Sequence, residues 1–213
     1  EKGNDSNLAK KLGSLCDIFV LDAFAASHRE HASTTGVISF VNKACIGFLV
    51  REELEALEAI EKADRPILAI LGGAKISSKL SLINALAKKV DHLLLGGGIA
   101  NTCLGSKGLE IGASLSEPSL YSEARNLVEK DNVLLPNQVL VAPNKESEPR
   151  EASVETLKKE ECIFDISPLY IDSIKKTFAE AKTIIWNGPM GFFEEDKFSL
   201  GTKAVAELIS ESE

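Results

Sequence analysis

The stretch Arg65–Thr102, RPILAILGGAKISSKLSLINALAKKVDHLLLGGGIANT, decides the fold. Pro66–Leu71 has the length and β-branched content of a buried strand. Gly72 and Gly73 follow, and without a Cβ they let the backbone turn sharply and approach a ligand closely. From Ile76 the spacing predicts a helix: Ile76, Leu80, Ile83 and Ala87 fall on one face, with Leu82, Leu86 and Val90 beside them. His92–Leu95 reads as a second strand, closed by Gly96, Gly97 and Gly98. Strand, helix and strand make a βαβ unit, expected to be parallel with a right-handed crossover.

That order sets a glycine turn and a helix N-terminus at the carboxyl end of a strand, where backbone N–H groups and the helix dipole favour anions, phosphate above all. Lys75 stands at the helix entry and Lys79 four residues on, so the pattern puts both ammonium groups on one face. Two cations over such a turn suit a polyphosphate. GGAKISSK does not fit the Walker A pattern, and G-x-G-x-x-G is missing, which speaks against a dehydrogenase-type dinucleotide domain. Taken alone, the stretch reads equally well as a glycine turn for close strand–helix packing with two solvated lysines.

The chain has 213 residues, 44% hydrophobic and 26% charged, enough for one large domain or one domain and part of another. A net charge of −8 argues against a general nucleic-acid or anionic-membrane surface. No apolar run reaches the ~20 residues of a membrane span, and EKGNDSNLAKK carries no signal-peptide core. Cys16, Cys45, Cys103 and Cys162 are scattered without C-x-x-C spacing and lie in or beside apolar runs. They are expected to be buried free thiols in a reducing cytoplasm.

Outward from the central stretch, Ser6–Leu12 reads as a short helix capped by Asp5 or Ser6 and stopped by Gly13. Asp17–Leu21 is a strand ending in Asp22, and the polar run AFAASHREHASTTG follows. It crowds His28, Arg29 and His31 past a strand end, the edge at which open α/β sheets bind ligands. Arg29 suits bidentate contact with a carboxylate or phosphate, and His28 can add a hydrogen bond. An ordinary polar loop is the competing reading, and H-x-x-H without a third ligand is a poor zinc pattern. Phe48–Lys62 is a helix with Leu49, Leu54, Leu57 and Ile60 as its apolar positions. It serves as an interdomain connector or as a surface helix.

Beyond Thr102 comes a glycine-bearing loop to Leu115, then a helix near Leu120–Lys130. Val133–Leu135 and Gln138–Val141 are apolar, the second the better strand, and Pro143–Glu155 looks like an exposed excursion. Cys162–Ile166 is a strand, Pro168 opens a helix continued by Ile171–Ala181, Thr183–Trp186 is a strand, and Leu200–Ile209 is the last helix. From Pro66 onward strands and helices alternate, which predicts a parallel sheet covered on both faces. The strand end NGPMGFFEE forms a stiff turn. There Phe192 or Phe193 can face a flat base and Glu194 can accept from ribose hydroxyls, or the aromatics can simply pack in the core.

The three stretches DAFAASHREHAST, Arg65–Thr102 and TIIWNGPMGFFEEDKFSLGT resemble phosphoglycerate kinase, in the same chain order and across essentially the whole chain. FLVREELEALEAI is similar to that family's interdomain helix. The resemblance implies an α/β protein whose C-terminal nucleotide domain is a Rossmann-like three-layer parallel sheet. An interdomain helix joins it to part of an N-terminal α/β domain. Residues 1–47 would belong to the phosphoglycerate-binding domain, 48–64 to the helix and 65–213 to the nucleotide-binding domain. The implied activity is a cytoplasmic, glycolytic phosphoryl transfer between 1,3-bisphosphoglycerate and ADP, giving 3-phosphoglycerate and ATP, with Mg2+ on the nucleotide. A monomer without nucleic-acid or membrane partners is expected.

By the same resemblance Arg29 matches an arginine of the family's basic patch, which binds 3-phosphoglycerate and faces the moving phosphoryl group, and His28 matches its neighbouring histidine. Lys75 matches the lysine taken to stabilise the phosphoryl group in flight, and Lys79 the one that holds nucleotide phosphates. Gly73, Ala74, Gly97 and Gly98 match turns lining the nucleotide pocket. Asn187, Gly188, Pro189, Gly191 and Phe192 match its far wall, and Glu194 the ribose-binding glutamate. The chemistry agrees. An acyl-phosphate product is made from a carboxylate already ionised at neutral pH, so no general base is required, and alignment plus positive charge suffices. With Arg29 and the lysines expected on different domains, closure would exclude water.

The family's Asp-x-Asn-x-Pro loop, His-Leu-Gly-Arg-Pro turn, Gly-Gly-Gly-Asp loop and second glycine triplet do not occur in this sequence. The chain therefore reads as the middle of a longer enzyme, with no metal-holding aspartate and negligible turnover by itself. A nucleotide-binding module without turnover is the alternative. Ala25-Ala26, Met190 and Phe192 depart from the family's usual residues, and Phe192 is expected to reshape the base pocket.

Overall fold

The computed structural model describes residues 1–212, apart from the side chains of Ala59 and Glu61. The chain divides into two compact units, the first Glu1–Ala63 and the second beginning at Asp64. No described helix is long and apolar enough to cross a membrane.

In the first unit, α1 (Ser6–Gly13) begins where Asp5 Oδ1 accepts the Leu8 amide at 2.8 Å, one of the orphan donors of a helix start. Strand β1 (Ile18–Leu21) pairs in parallel with β2 (Lys43–Ile46), which the mixed apolar run 36–47 had concealed. Helix α2 (Phe24–Ser27) lies between them in sequence, and α3 (Phe48–Glu61) follows. Asp22, just past β1, accepts the Val50 amide at 3.0 Å, so one side chain ties the strand end to the first turn of α3. Cys16 and Cys45 are exposed, against the expectation that all four thiols are buried. Only Cys103 is fully so, because only it sits on an element covered all round.

The second unit is built on a four-stranded parallel sheet. Strand β3 (Ile67–Leu71) is buried at every residue and is followed by helix α4 (Leu80–Leu86) and strand β4 (His92–Leu95). Helices α5 (Gly97–Ser106) and α6 (Tyr121–Val128) lead to β5 (Val133–Leu134). The last strand of this sheet, β9 (Thr183–Asn187), comes from far along the chain, and the sheet order is β5-β4-β3-β9. The alternation of strand and helix predicts this parallel pairing. Leu68, Ile70, Leu94, Ile166, Phe178, Met190 and Val205 share one buried cluster. Truncating a residue such as Phe178 there costs about 3–5 kcal/mol.

Three strands leave that scheme. β6 (Gln138–Ala142), β7 (Arg150–Ser153) and β8 (Cys162–Ile166) form a separate antiparallel sheet in the order β7-β6-β8. The connection from β6 to β7 is too short for the dozen or so residues that a parallel crossover needs, so the chain doubles back. The run 143–155 therefore contains a strand where an exposed excursion was expected. Its Arg150 reaches beyond the run to hold the buried Glu161 carboxylate through both Nε (2.8 Å) and Nη2 (2.6 Å).

Helix α5 was also hidden, because GGGIANTCLGS has no amphipathic period. Gly98 to Leu104 and Ser106 are buried all round, and a helix covered on every side need show no polar face. The predicted helix after β8 is broken at Ile174 into α7 (Pro168–Ser173) and α8 (Lys175–Glu180), and α9 (Leu200–Glu211) ends the described chain.

Candidate functional site

β3 and β4 end side by side, Leu71 opposite Leu95, and β9 ends beside β3, Asn187 opposite Leu71. Three loops therefore leave one edge of the sheet together, and their backbones touch. Gly72 N donates to Asn187 O at 3.0 Å, Gly97 N to Met190 O at 2.7 Å, and Ile99 N to Gly73 O at 3.3 Å. Such contacts exclude side chains. A Cβ on Gly72 would lie 1.8 Å from Pro189 O, and one on Gly98 2.1 Å from Ala74 O. Gly73 at φ 131° and Gly97 at φ 62° add conformations that other residues reach only under strain.

A cavity of about 500 Å³ opens against these loops, lined wholly by residues of the second unit. Gly73, Ala74, Gly97 and Gly98 form one side, where α5 begins; Pro189, Met190, Gly191, Phe192 and Glu194 form another. Leu115, Pro136, Val139, Ile163 and Phe164 give it an apolar end. Few-sided polarity around an apolar body, at the carboxyl ends of parallel strands, is the usual setting of a small-molecule site. The glycine backbones and the start of α5 suit phosphate, and the apolar end suits a flat ring.

Lys79 is placed by these loops too. Its Nζ donates to Gly72 O at 2.7 Å and to Asn187 Oδ1 at 2.6 Å, joining the ends of β3 and β9, and burial holds its pKa below the usual lysine range. A Cβ on Gly188 would meet the same ammonium at 2.9 Å. Helix α4 begins only at Leu80, which corrects the expectation of a helix from Ile76 with Lys75 and Lys79 on one helical face. Side chains hold the segment that precedes it. Its carboxylate accepts Ser77 N at 2.9 Å and Ser77 Oγ at 2.6 Å, and Ser78 Oγ donates to Lys75 O at 2.9 Å. Ser78 thereby takes the Lys75 carbonyl, the group that would accept the first bond of a helix beginning at Ile76. Lys75 is left exposed on this irregular segment.

A sequence model of the phosphoglycerate kinase family matches residues 1–213. The chain belongs to the phosphoglycerate kinase family. It is 44% identical over 213 residues to the phosphoglycerate kinase of Baumannia cicadellinicola subsp. Homalodisca coagulata, covering 100% of this chain and 55% of that protein. It is 49% identical over 221 residues to that of Legionella pneumophila (strain Corby), covering 100% of this chain and 56% of the relative. The solved phosphoglycerate kinase of Coxiella burnetii superposes with a TM-score of 0.89 at 41% identity, over 100% of this chain and 57% of that one. That of Pyrococcus horikoshii OT3 superposes at 0.79 with 25% identity, over 98% and 56%. The chain thus spans about half the length of the relatives it matches.

Of the residues that resemblance to phosphoglycerate kinase singled out, Gly73, Ala74, Gly97, Gly98, Pro189, Gly191, Phe192 and Glu194 line the cavity, while Asn187 and Gly188 meet Lys79 beside it. His28 and Arg29 belong to the first unit and are exposed there. Among the described residues no group of three or more His, Cys, Asp or Glu is placed to hold a metal ion.

Sequence reasoning missed Glu117 and two more polar residues. Buried Asn101 donates from Nδ2 to Leu115 O at 3.2 Å, within the cavity lining. Asp165, also in the lining, is buried inside β8, and burial pushes its pKa up to about 7, opposed by the amides of Gly201 and Ile166. Because folding raises it from 3.8, the neutral form is favoured, and this group's contribution to stability declines as pH rises from about 4 toward 7. A single charge within the apolar run CIFDI was the signal that could have found it.

Proposed function

We propose that the protein catalyses reversible phosphoryl transfer between 1,3-bisphosphoglycerate and ADP, giving 3-phosphoglycerate and ATP, with the nucleotide held in the cavity of the second unit. The observation that carries the reading is the backbone-walled cavity at three adjacent strand ends, in a chain of the phosphoglycerate kinase family. The nucleotide's phosphates lie over Gly73, Ala74, Gly97 and Gly98, and its base enters the end lined by Val139, Ile163 and Phe164. Glu194 accepts from the ribose hydroxyls. Lys75, exposed and on a segment fastened by Glu117, supplies positive charge to the phosphoryl group in transit, where charge stabilisation is the main catalytic task. Lys79 turns from Asn187 toward the phosphates that remain. His28 and Arg29 bind the phosphoglycerate carboxylate or phosphate, a task for which a guanidinium fork is suited.

Mg2+ would accompany the nucleotide and neutralise phosphate charge. The described side chains offer it no cluster of three or more ligands. The four cysteines are free, which suits a reducing cytoplasm, and the enzyme is taken to act there as a monomer.

The test is phosphoglycerate-dependent ADP formation from ATP by the full-length enzyme that contains these residues. Arg29→Ala and Lys75→Ala should each lower it about a hundredfold or more, and unchanged rates in both variants would refute the assignment. The coverage of about 55% of the relatives' length supports a second reading for these 213 residues taken alone, a nucleotide-binding module without turnover. Calorimetry with MgADP beside the activity assay separates the two, since binding without turnover supports the second.

A further inference from the structure

We infer that Asp165 is a positioning residue whose carboxylate locks the Met190–Phe192 wall of the cavity to the first turn of α9. The inference rests on the reading of this cavity as the nucleotide site.

Asp165 lies in β8 with 1% of its surface exposed. Its Oδ2 accepts the Gly201 amide of α9 at 2.7 Å, and its Oδ1 accepts the Ile166 amide at 2.9 Å. The same Oδ1 stands 2.3 Å from where a Cβ of Gly191 would be, so the carboxylate packs directly against the turn. The residue after Gly201 continues the connection. Thr202 Oγ1 accepts Met190 N at 3.0 Å, and Met190 O accepts the Gly97 amide at 2.7 Å, across the cavity edge. From the other side Phe192 N donates to Phe164 O at 2.7 Å, one residue before Asp165. The wall is thus held between β8 and α9, and the Asp165 carboxylate joins those two elements by a hydrogen bond. An apolar residue would fill the space without the cost of burying a carboxyl group, but it could not accept both amides.

This arrangement makes the wall sensitive to protons. The ionised carboxylate accepts both amides; the neutral acid turns one oxygen into a donor and weakens one of them. The shift toward pH 7 comes from burial first. The charged groups on the surrounding elements are Glu194 on the turn, Lys145 and Glu146 across the cavity, Lys203 of α9 paired with Asp196 at 3.3 Å, and Glu151 of β7, which accepts from Ser167 Oγ at 2.8 Å. Rising pH therefore tightens the wall even as ionisation of a buried acid lowers the stability of the fold.

The experiment is titration calorimetry of the protein with MgADP at pH 6, 7 and 8, for the unaltered chain, Asp165→Asn and Thr202→Val. ADP's own phosphate ionisation acts equally on all three, so the difference between profiles is the readout. The unaltered protein should gain about tenfold more affinity between pH 6 and 8 than Asp165→Asn, which cannot ionise. Thr202→Val should bind several-fold more weakly yet keep the pH dependence of the unaltered chain. If Asp165→Asn fails to fold, Thr202→Val still decides, because binding equal to that of the unaltered protein overturns the inference. So does an Asp165→Asn profile parallel to the unaltered one. Absence of MgADP binding by the unaltered protein overturns the nucleotide reading itself, and this inference with it.

Discussion

Two neighbouring strands leave the sheet in different ways. After β4 the helix starts at once: Gly96 is its cap and Gly97 its first residue. After β3 an irregular segment carries the chain through Gly72 to Lys79 before α4 begins. The first exit is almost pure backbone. The second is fastened at Ser77 by Glu117 and carries the lysines. Both exits thus shape the cavity, with backbones in contact, while the second alone of the two carries the lysines.

The largest effect is expected on the backbone side. In Gly98→Val a Cβ would press on Ala74 O at 2.1 Å, and backbone cannot yield as a flexible side chain does. Overpacking of this kind costs about 1–3 kcal/mol, readable as a shift of the urea midpoint, and MgADP binding should be lost. Near-normal binding would show that the two loops move apart freely, contrary to the contacts described. Next comes Lys75→Ala, which should cut turnover about a hundredfold while stability stays within about 0.5 kcal/mol, since the residue is exposed. Lys79→Ala should do the reverse in part. It strands the O of buried Gly72, costing about 1–3 kcal/mol, frees the exposed Asn187 Oδ1 to water, and weakens MgADP binding together with stability. Equal stability losses in the two lysine variants would erase the distinction between them. The smallest change is expected from Glu117→Gln, which keeps an acceptor for Ser77 and should lower turnover only a few-fold. Glu117→Ala should lower it further without altering MgADP affinity, as measured by calorimetry.

These contrasts follow how legible the chain was. β3, β4 and β9 were readable as short apolar runs closed by glycines, which announced close backbone approach, and α4 by its helical spacing. α5 was not, because burial on every side removes the polar face that marks a helix. β7 was not, because REAS is short and its arginine finds its partner in Glu161, beyond the reach of a local pattern. The same limit applies within the site. Gly73, Gly98 and Glu194 could be named from the motifs, whereas Asp165 and Glu117 act through amides that only the folded chain brings to them. The start of α4 was misplaced as well, since helical spacing continues back to Ile76 while Ser78 Oγ takes the Lys75 carbonyl that a helix beginning there would use.

The pairing of β9 with β3 has a consequence for the making of the protein. Ile67 to Leu71 lie against Thr183 to Asn187, more than a hundred residues later in the chain. Chain emerging from a ribosome can form β4 beside β3 early, but the free edge of β3, the anchor for Lys79 and the Pro189–Phe192 wall all wait for synthesis to pass β9. Long-range pairing of this kind is slow to form and leaves an unpaired apolar edge in the meantime. The cavity can therefore be complete only at the end of this interval, when the same event that closes the sheet also brings its walls together.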